Sequence, residues 1–213
     1  MITSGPTRQY LDPVRYLTNA SSGRMGAALA DACLRNGHSV TVVSGPVAVD
    51  YPAGAEVHPV ITTDEMLRRC IDLFADCDGA IGAAAPCDYQ PRQVADRKIA
   101  KTGQPLMIEL VETQDVVALL GASKRPGQWV VGFALETDDR RFRATVKLHK
   151  KHCDLIVSNG PEAIDSLDNH VELLAAGGTL VDSISGSKQQ VADRIIDRID
   201  HLLIRPRSSA GGD

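Results

Sequence analysis

Apolar runs of strand length alternate along the chain with stretches whose apolar residues recur every three or four positions, the pattern of a sheet with helices on its faces. Strands are predicted at residues 1–4, 39–44, 56–60, 79–84, 106–111, 129–134 and 154–158. Several are continuous β-branched or small apolar runs, as parallel strands covered on both sides should be. Residues 170–175 and 179–183 flank Ala-Gly-Gly and predict a hairpin closing one edge. Between the strands, Met25, Ala28, Leu29, Ala32 and Cys33 share one face of a helix that ends at Gly37, with Ser21 or Ser22 available as its N-cap. Thr63, Asp64 and Glu65 open a second helix running to Ala75, its acids placed where the helix dipole favours them. Three more are predicted at residues 114–122, 138–152 and 188–203, the last with a stripe of Val191, Ile195, Ile199 and Leu202. The fold class expected is α/β: a Rossmann-like, doubly wound, mostly parallel sheet in a single domain over residues 1–204, followed by a Ser/Gly-rich tail, 205–213, expected to be disordered. Met-Ile-Thr-Ser is short for a central strand, so either the strand is short or residues that precede it are missing.

Composition narrows the function classes. With 27 acidic against 23 basic residues the formal net charge is -4, which argues against a surface built for nucleic acid or anionic membrane. No apolar run approaches the roughly 20 residues of a membrane helix and the first residues do not form a signal peptide, so a cytoplasmic protein is expected. Five cysteines without C-x-x-C spacing indicate neither a disulfide framework nor a zinc site.

Candidate chemistry begins at Ser21-Ser22-Gly23-x-x-Gly26, which follows the first strand and opens a helix, the order of a phosphate-binding turn. A nicotinamide-dependent oxidoreductase is the natural rival. Its glycines would follow the first strand directly and an acid would end the second, whereas here residues 8–22 intervene and the second strand ends in Ser44-Gly45; Tyr-x-x-x-Lys is also missing. The intervening segment holds Arg8, Asp12, Arg15 and Asn19 around Pro13: forks for a carboxylate or phosphate, and an amide for a reaction centre, or else a surface ion pair of Asp12 with either arginine. A second long loop after residue 84 offers Asp88 to a ribose or metal and Lys98 and Lys101 to phosphates, with Cys87 beside them as pocket lining rather than nucleophile. Lys147 and Lys151 share a face of a basic helix that would recognise a nucleotide if turned toward the crevice.

The stretches ITSGPTRQYLDPVRYLTNASSGRMG, AAAPCDYQP, KIAK, VVGFALET, KLHKKHCDLIVSN and SLDNHVELL occur in one order between Ile2 and about Ile199. On them the chain resembles phosphopantothenoylcysteine synthetase, the phosphopantothenate:cysteine ligase domain that in many bacteria is half of a bifunctional flavoprotein of coenzyme A synthesis. The resemblance implies a homodimer that uses CTP and Mg²⁺ to convert the carboxylate of 4'-phosphopantothenate into an acyl-cytidylate, which L-cysteine then attacks to form an amide. It implies that Asn19 holds the acyl-nucleotide, that Arg15 supports its formation or binding, and that Lys98, in a mobile flap, stabilises phosphate charge in catalysis. Ser21, Ser22 and Gly23, the strand end Gly82-Ala83-Ala84, Asp88, the turn Val111-Glu112-Thr113-Gln114, Phe133, Lys147 and Lys151 would bind nucleotide; no metal ligand is implied. The flap usually reads K-I-K-K but has Ala100 here; a turn often written Lys-Asn-Pro-Asp is Glu112-Thr113-Gln114-Asp115, which leaves ATP as an alternative to CTP; and Gly160 replaces an Asp. A flavin decarboxylase half is not in the sequence, so no flavin is expected and a separate decarboxylase partner is left open. A noncatalytic nucleotide-binding relative is the third reading, with Ala100 its only support.

Overall fold

The computed structural model describes residues 1–136, 138–160 and 168–205. Its strands are β1 (Ile2–Ser4), β2 (Arg8–Tyr10), β3 (Tyr16–Thr18), β4 (Val40–Ser44), β5 (Ala55–Pro59), β6 (Gly79–Gly82), β7 (Tyr89–Pro91), β8 (Leu110–Glu112), β9 (Trp129–Leu135), β10 (Leu155–Asn159), β11 (Asp168–Ala175) and β12 (Thr179–Ser187). The helices are α1 (Arg24–Arg35), α2 (Thr63–Phe74), α3 (Val116–Ala122), α4 (Arg140–Lys150) and α5 (Lys188–Ile199), the last continued by a π-helical turn at Asp200–Ile204.

Eight strands form one sheet in the order β5-β4-β1-β6-β9-β10-β11-β12, parallel from β5 to β10 and antiparallel across β11 and β12. Successive residues of each inner strand feed opposite faces. Val42, Val131, Val157 and Leu173 join α1 and α5 in one core, whereas their neighbours Val43, Val130, Ile156 and Leu174 join α2, α3 and α4 in the other. Burial on both faces is why these strands read as unbroken apolar runs. The sheet is thus the doubly wound type expected, and its three-residue β1 is central, fully buried and paired on both sides. The order reverses between β1 and β6, and ligands of such sheets bind where strand ends diverge at that point.

Three expectations need correction. Residues 106–111 do not form a sheet strand: only Leu110–Glu112 is extended, and it pairs with β7 as a separate two-stranded ribbon. The segment from Arg8 to Thr18, for which no strand is predicted, is a hairpin of β2 and β3. Neither Ser21 nor Ser22 caps α1; the cap is Gly23, in the left-handed region at φ 73° and without a side-chain bond, so among the described residues the first turn keeps its N–H groups unclaimed by side chains. Helix α2 begins with a full capping box between Thr62 and Glu65, and α5 with another between Ser187 and Gln190. Arg205 ends the described chain in helical conformation, and the rest of the predicted tail lies outside the described residues.

Candidate functional site

Three loops meet above the reversal point and are tied to one another by backbone. Gly45 N–H donates to Ser4 C=O at 3.0 Å and Ala85 N–H to Gly5 C=O at 2.9 Å, so the chain leaving β4 and that leaving β6 both lie against the end of β1. Gly26 lets α1 begin against the same strand end: a Cβ there would lie 2.0 Å from Ser4 Oγ. Beneath the loops is a buried polar network. Thr7 Oγ1 accepts from Cys87 N–H at 2.8 Å and lies 2.9 Å from Thr63 Oγ1, to which Gln9 donates at 2.8 Å; Thr113 Oγ1 donates to Cys87 C=O at 2.7 Å. These bonds fix the backbone on which Asp88 sits, and Thr113 N–H closes the arrangement by donating to Asp88 C=O at 2.9 Å.

The resulting cleft, about 300 Å³, gathers Ser21, Ser22, Gly23, Ala83, Ala84, Asp88, Phe133, Lys147 and Lys151 in its walls. Those predicted nucleotide-binding residues, scattered over more than half of the sequence, thus share one space. Lys147 is held by Glu136 at 2.7 Å and Lys151 by Asp115, the N-cap of α3, at 3.0 Å. Both ammonium groups are therefore aimed by a carboxylate. Gly82 is one residue short of the wall, and a Cβ there would lie 2.4 Å from Val117. Val111, Glu112, Thr113 and Gln114 do not line the cleft; they run beside it, with Thr113 anchoring the Asp88 loop. Arg24, Asn159, Asn169 and Lys188 also line the wall and were not singled out in the sequence as site residues, although Arg24 and both asparagines lie in motif stretches. Lys188 Nζ donates to Asn169 Oδ1 at 3.2 Å, a contact across 19 residues that local pattern does not announce.

Asn19 lies in an adjoining hollow that shares Ala20, Ser21 and Ser22 with the cleft. Its Nδ2 donates to Pro86 C=O at 2.8 Å and Ala85 C=O at 3.3 Å, which fixes the amide plane and leaves Oδ1 with no partner among the described residues. Lys98 is exposed on the segment between β7 and β8 and does not reach the cleft wall. Arg15 is outside the wall as well, paired with Asp12 at 2.6 Å. That pair is more than the surface contact considered for it, because the Asp12 carboxyl is fully buried. Burial pushes this carboxyl up, but the N–H groups of Val14, Ile99 and Arg15 together with the Arg15 guanidinium outweigh it and hold the group well below the usual carboxylate range. Cys87 is buried beneath the wall rather than lining it, and burial raises its thiol, which suits packing and not nucleophilic attack.

The arrangement can hold an anionic nucleotide between a bare helix start and two aimed ammonium groups, with an aromatic ring beside it. Among the described residues, Asp88 is the one carboxylate in the wall and no group of three metal-ligating side chains exists. A single carboxylate suits Mg²⁺ arriving with phosphates, since that ion keeps most of its other ligands from substrate and water. The position where a dinucleotide fold carries its ribose-binding acid is Ser44, whose Oγ is 2.7 Å from Tyr51 OH.

The coenzyme A biosynthesis bifunctional protein CoaBC of Vibrio parahaemolyticus is 37% identical over 95% of this chain and 52% of its own length. That of Escherichia coli is 39% identical over 94% and 52%. The chain therefore spans about half the length of these curated relatives. Among solved structures, the C-terminal domain of CoaBC superposes with a TM-score of 0.79 at 34% identity, covering 95% of this chain and 93% of that one. Cab2 in complex with phosphopantothenate-cysteine shares the fold, with a TM-score of 0.81 at 17% identity over 99% and 87%. The family model of the DNA/pantothenate metabolism flavoprotein C-terminal domain matches residues 1–203, and the chain belongs to that family.

Proposed function

We propose that the protein is a phosphopantothenate:cysteine ligase acting in coenzyme A biosynthesis. The observation that carries this reading is the convergence of Ser21, Ser22, Gly23, Ala83, Ala84, Asp88, Phe133, Lys147 and Lys151 on one cleft, with the Asn19 amide fixed at its rim.

A carboxylate does not accept an amine until one of its oxygens becomes part of a leaving group. In the first step the pantothenate carboxylate oxygen attacks the α-phosphorus of a nucleoside triphosphate, CTP in this reading, and pyrophosphate departs. In the second the cysteine amine attacks the acyl carbon; the C–N bond forms, the C–O bond to phosphate breaks, the nucleoside monophosphate leaves and the ammonium proton goes to solvent or base. Each step gathers negative charge on phosphate oxygens, which the N–H groups at the start of α1 and the ammonium groups of Lys147 and Lys151 oppose from fixed positions. Asn19, with its Nδ2 committed to the Asp88 loop, directs Oδ1 toward whatever occupies the rim, and an acyl-nucleotide needs an acceptor there for its amide or hydroxyl donors. Mg²⁺ held by the phosphates and Asp88 supplies charge neutralisation when bound.

In this reading no flavin takes part, the enzyme works in the cytoplasm and the chain is a homodimer. The dimer is supported by Tyr89 and Leu110 on the β7–β8 ribbon and by Leu106, Met107 and Ile108 beyond it, apolar side chains left exposed in one chain. Whether a separate decarboxylase docks on the same ribbon is answered by mixing the two proteins in a sedimentation experiment.

The deciding assay supplies Mg²⁺, 4'-phosphopantothenate, cysteine and CTP or ATP in turn, and follows pyrophosphate and the amide. Amide formation with CTP exceeding that with ATP is expected, and no amide with any triphosphate refutes the ligase. Without cysteine, an acyl-nucleotide should accumulate to about one equivalent per site.

A further inference from the structure

The segment between β7 and β8, residues 92–109, has little core of its own: Val94, Leu106, Met107 and Ile108 are all exposed. Among the described residues, its hydrogen bonds to the remainder of the molecule run to one place, the turn joining β2 and β3. Ala95 N–H donates to Leu11 C=O at 3.0 Å, Ile99 N–H to Asp12 Oδ2 at 3.1 Å, and Arg15 Nη2 to Ile99 C=O at 2.5 Å. The Asp12–Arg15 ion pair therefore engages both polar groups of a single flap residue, as a neighbouring strand would. That residue directly follows Lys98.

We propose that Asp12 is a positioning residue that latches the flap and thereby places Lys98 for the reaction. The proposal rests on the ligase reading for what Lys98 does, but the latch itself rests on the bonds above. Consecutive Cα atoms are 3.8 Å apart, so anchoring Ile99 by its N–H and C=O confines the Lys98 backbone while its side chain stays free to reach phosphate. The donor set also explains how the latch can open. Asp12 Oδ1 accepts from Val14 N–H at 2.8 Å and Arg15 N–H at 2.9 Å, and Oδ2 accepts from Arg15 Nε at 2.9 Å. When Ile99 departs, three donors remain on the turn itself, so the buried carboxylate is never stranded and its desolvation does not oppose opening. Arg15 takes part in both roles: its Nε and Nη2 lie 2.9 and 2.6 Å from Asp12 Oδ2 and its Nη2 also donates to the flap, while a half-exposed guanidinium can also meet an incoming anion.

Two substitutions separate the latch from a merely structural role. Asp12→Asn keeps a carbonyl for the Val14 and Arg15 N–H groups but replaces Oδ2, which accepts from Ile99 N–H and from the Arg15 guanidinium, by an NH2 group that cannot accept, so that Ile99→Pro is the variant that removes the flap bond alone. Ile99→Pro removes the donor from the flap side, in a segment without core, so it tests the same bond should Asp12→Asn fail to fold. In hydrogen exchange without ligand, peptides spanning residues 95–104 should exchange about tenfold faster in either variant; unchanged exchange overturns the latch. In turnover, Asp12→Asn should lower kcat about tenfold with KM for cysteine unchanged, and should have no further effect on the residual product formation of Lys98→Ala. A full tenfold loss in the Lys98→Ala background means that Asp12 does not act through Lys98. Should the wild type make no amide with any triphosphate, the ligase reading fails, and the exchange arm still decides the latch.

Discussion

At the residue scale, the site separates groups that hold from groups that are held. Asn19 spends its Nδ2 on Pro86 and Ala85, and Asn19→Ala removes two bonds at an exposed position along with the free Oδ1. Its effect on stability should stay near or below about 1 kcal/mol, whereas amide formation should fall about 10²-fold, the scale for losing one fixed polar group at a reaction centre. Chemical unfolding and turnover of the same preparation check both; wild-type turnover refutes the role. Gly23 is held for a different reason: at φ 73° any side chain is strained, and a Cβ would lie 2.8 Å from Val47. Gly23→Ala should weaken nucleotide binding by titration and cost about 1–2 kcal/mol in stability. Much of this was legible, because Asn19 and Gly23 sit in a motif whose order is informative by itself. Asp12 was not: as a letter beside arginines it reads as a surface pair, and only its complete burial with four donors distinguishes it.

At the scale of elements, burial on both faces made the inner strands readable, and its absence made the small ribbons unreadable. The six strands from β1 to β10 in the sheet fall on predicted runs, as does the closing hairpin of β11 and β12. Strands β2, β3, β7 and β8 are three residues each, below the length at which alternation becomes a signal. The run Leu106, Met107, Ile108 misled in the opposite direction. It is apolar enough for a strand, yet Met107 is 90% exposed, so the run belongs to a surface that this chain alone does not cover. Helix α1 meets β1 at Gly26, and that contact sets how close the bare helix start lies to the strand end. Gly26→Ala would drive a methyl group into Ser4 Oγ and Cβ, at 2.0 and 2.4 Å, and the backbone would have to move. A loss of about 1–3 kcal/mol in urea unfolding is expected, as is typical of an overpacked contact, with a weaker affinity for triphosphate in parallel. Equal affinity in the folded variant would show that the spacing of α1 and β1 does not matter to binding.

For the whole molecule, the pH range of stability follows from groups distributed over both ends of the sheet. Asp12 is held low as described; Glu172 is lowered by its bidentate bond to Arg141, and Asp182 by Arg198 first and Arg194 second. A carboxyl lowered by folding contributes stability that is complete above its unfolded value near 4 and is lost as pH falls toward the folded one. Thiols act from the alkaline side. Burial pushes Cys33 and Cys153 up to about 11 and Cys70 up to about 12, so the unfolded chain, whose thiols ionise near 8.5, gains protons' release that the folded chain resists. Their contribution is complete below about 8.5 and is lost as pH rises from there toward 11 and beyond. Stability should therefore form a plateau between about pH 4 and 8.5 and decline on both sides. Cys70→Ala should lower the plateau by about 1 kcal/mol for the sulfur removed and yet decline less steeply above pH 8.5, because one of the groups that ionise only on unfolding is gone. Urea unfolding at half-unit steps from pH 3 to 10 measures both slopes, and an unchanged alkaline slope in Cys70→Ala would mean that this thiol is not linked to unfolding.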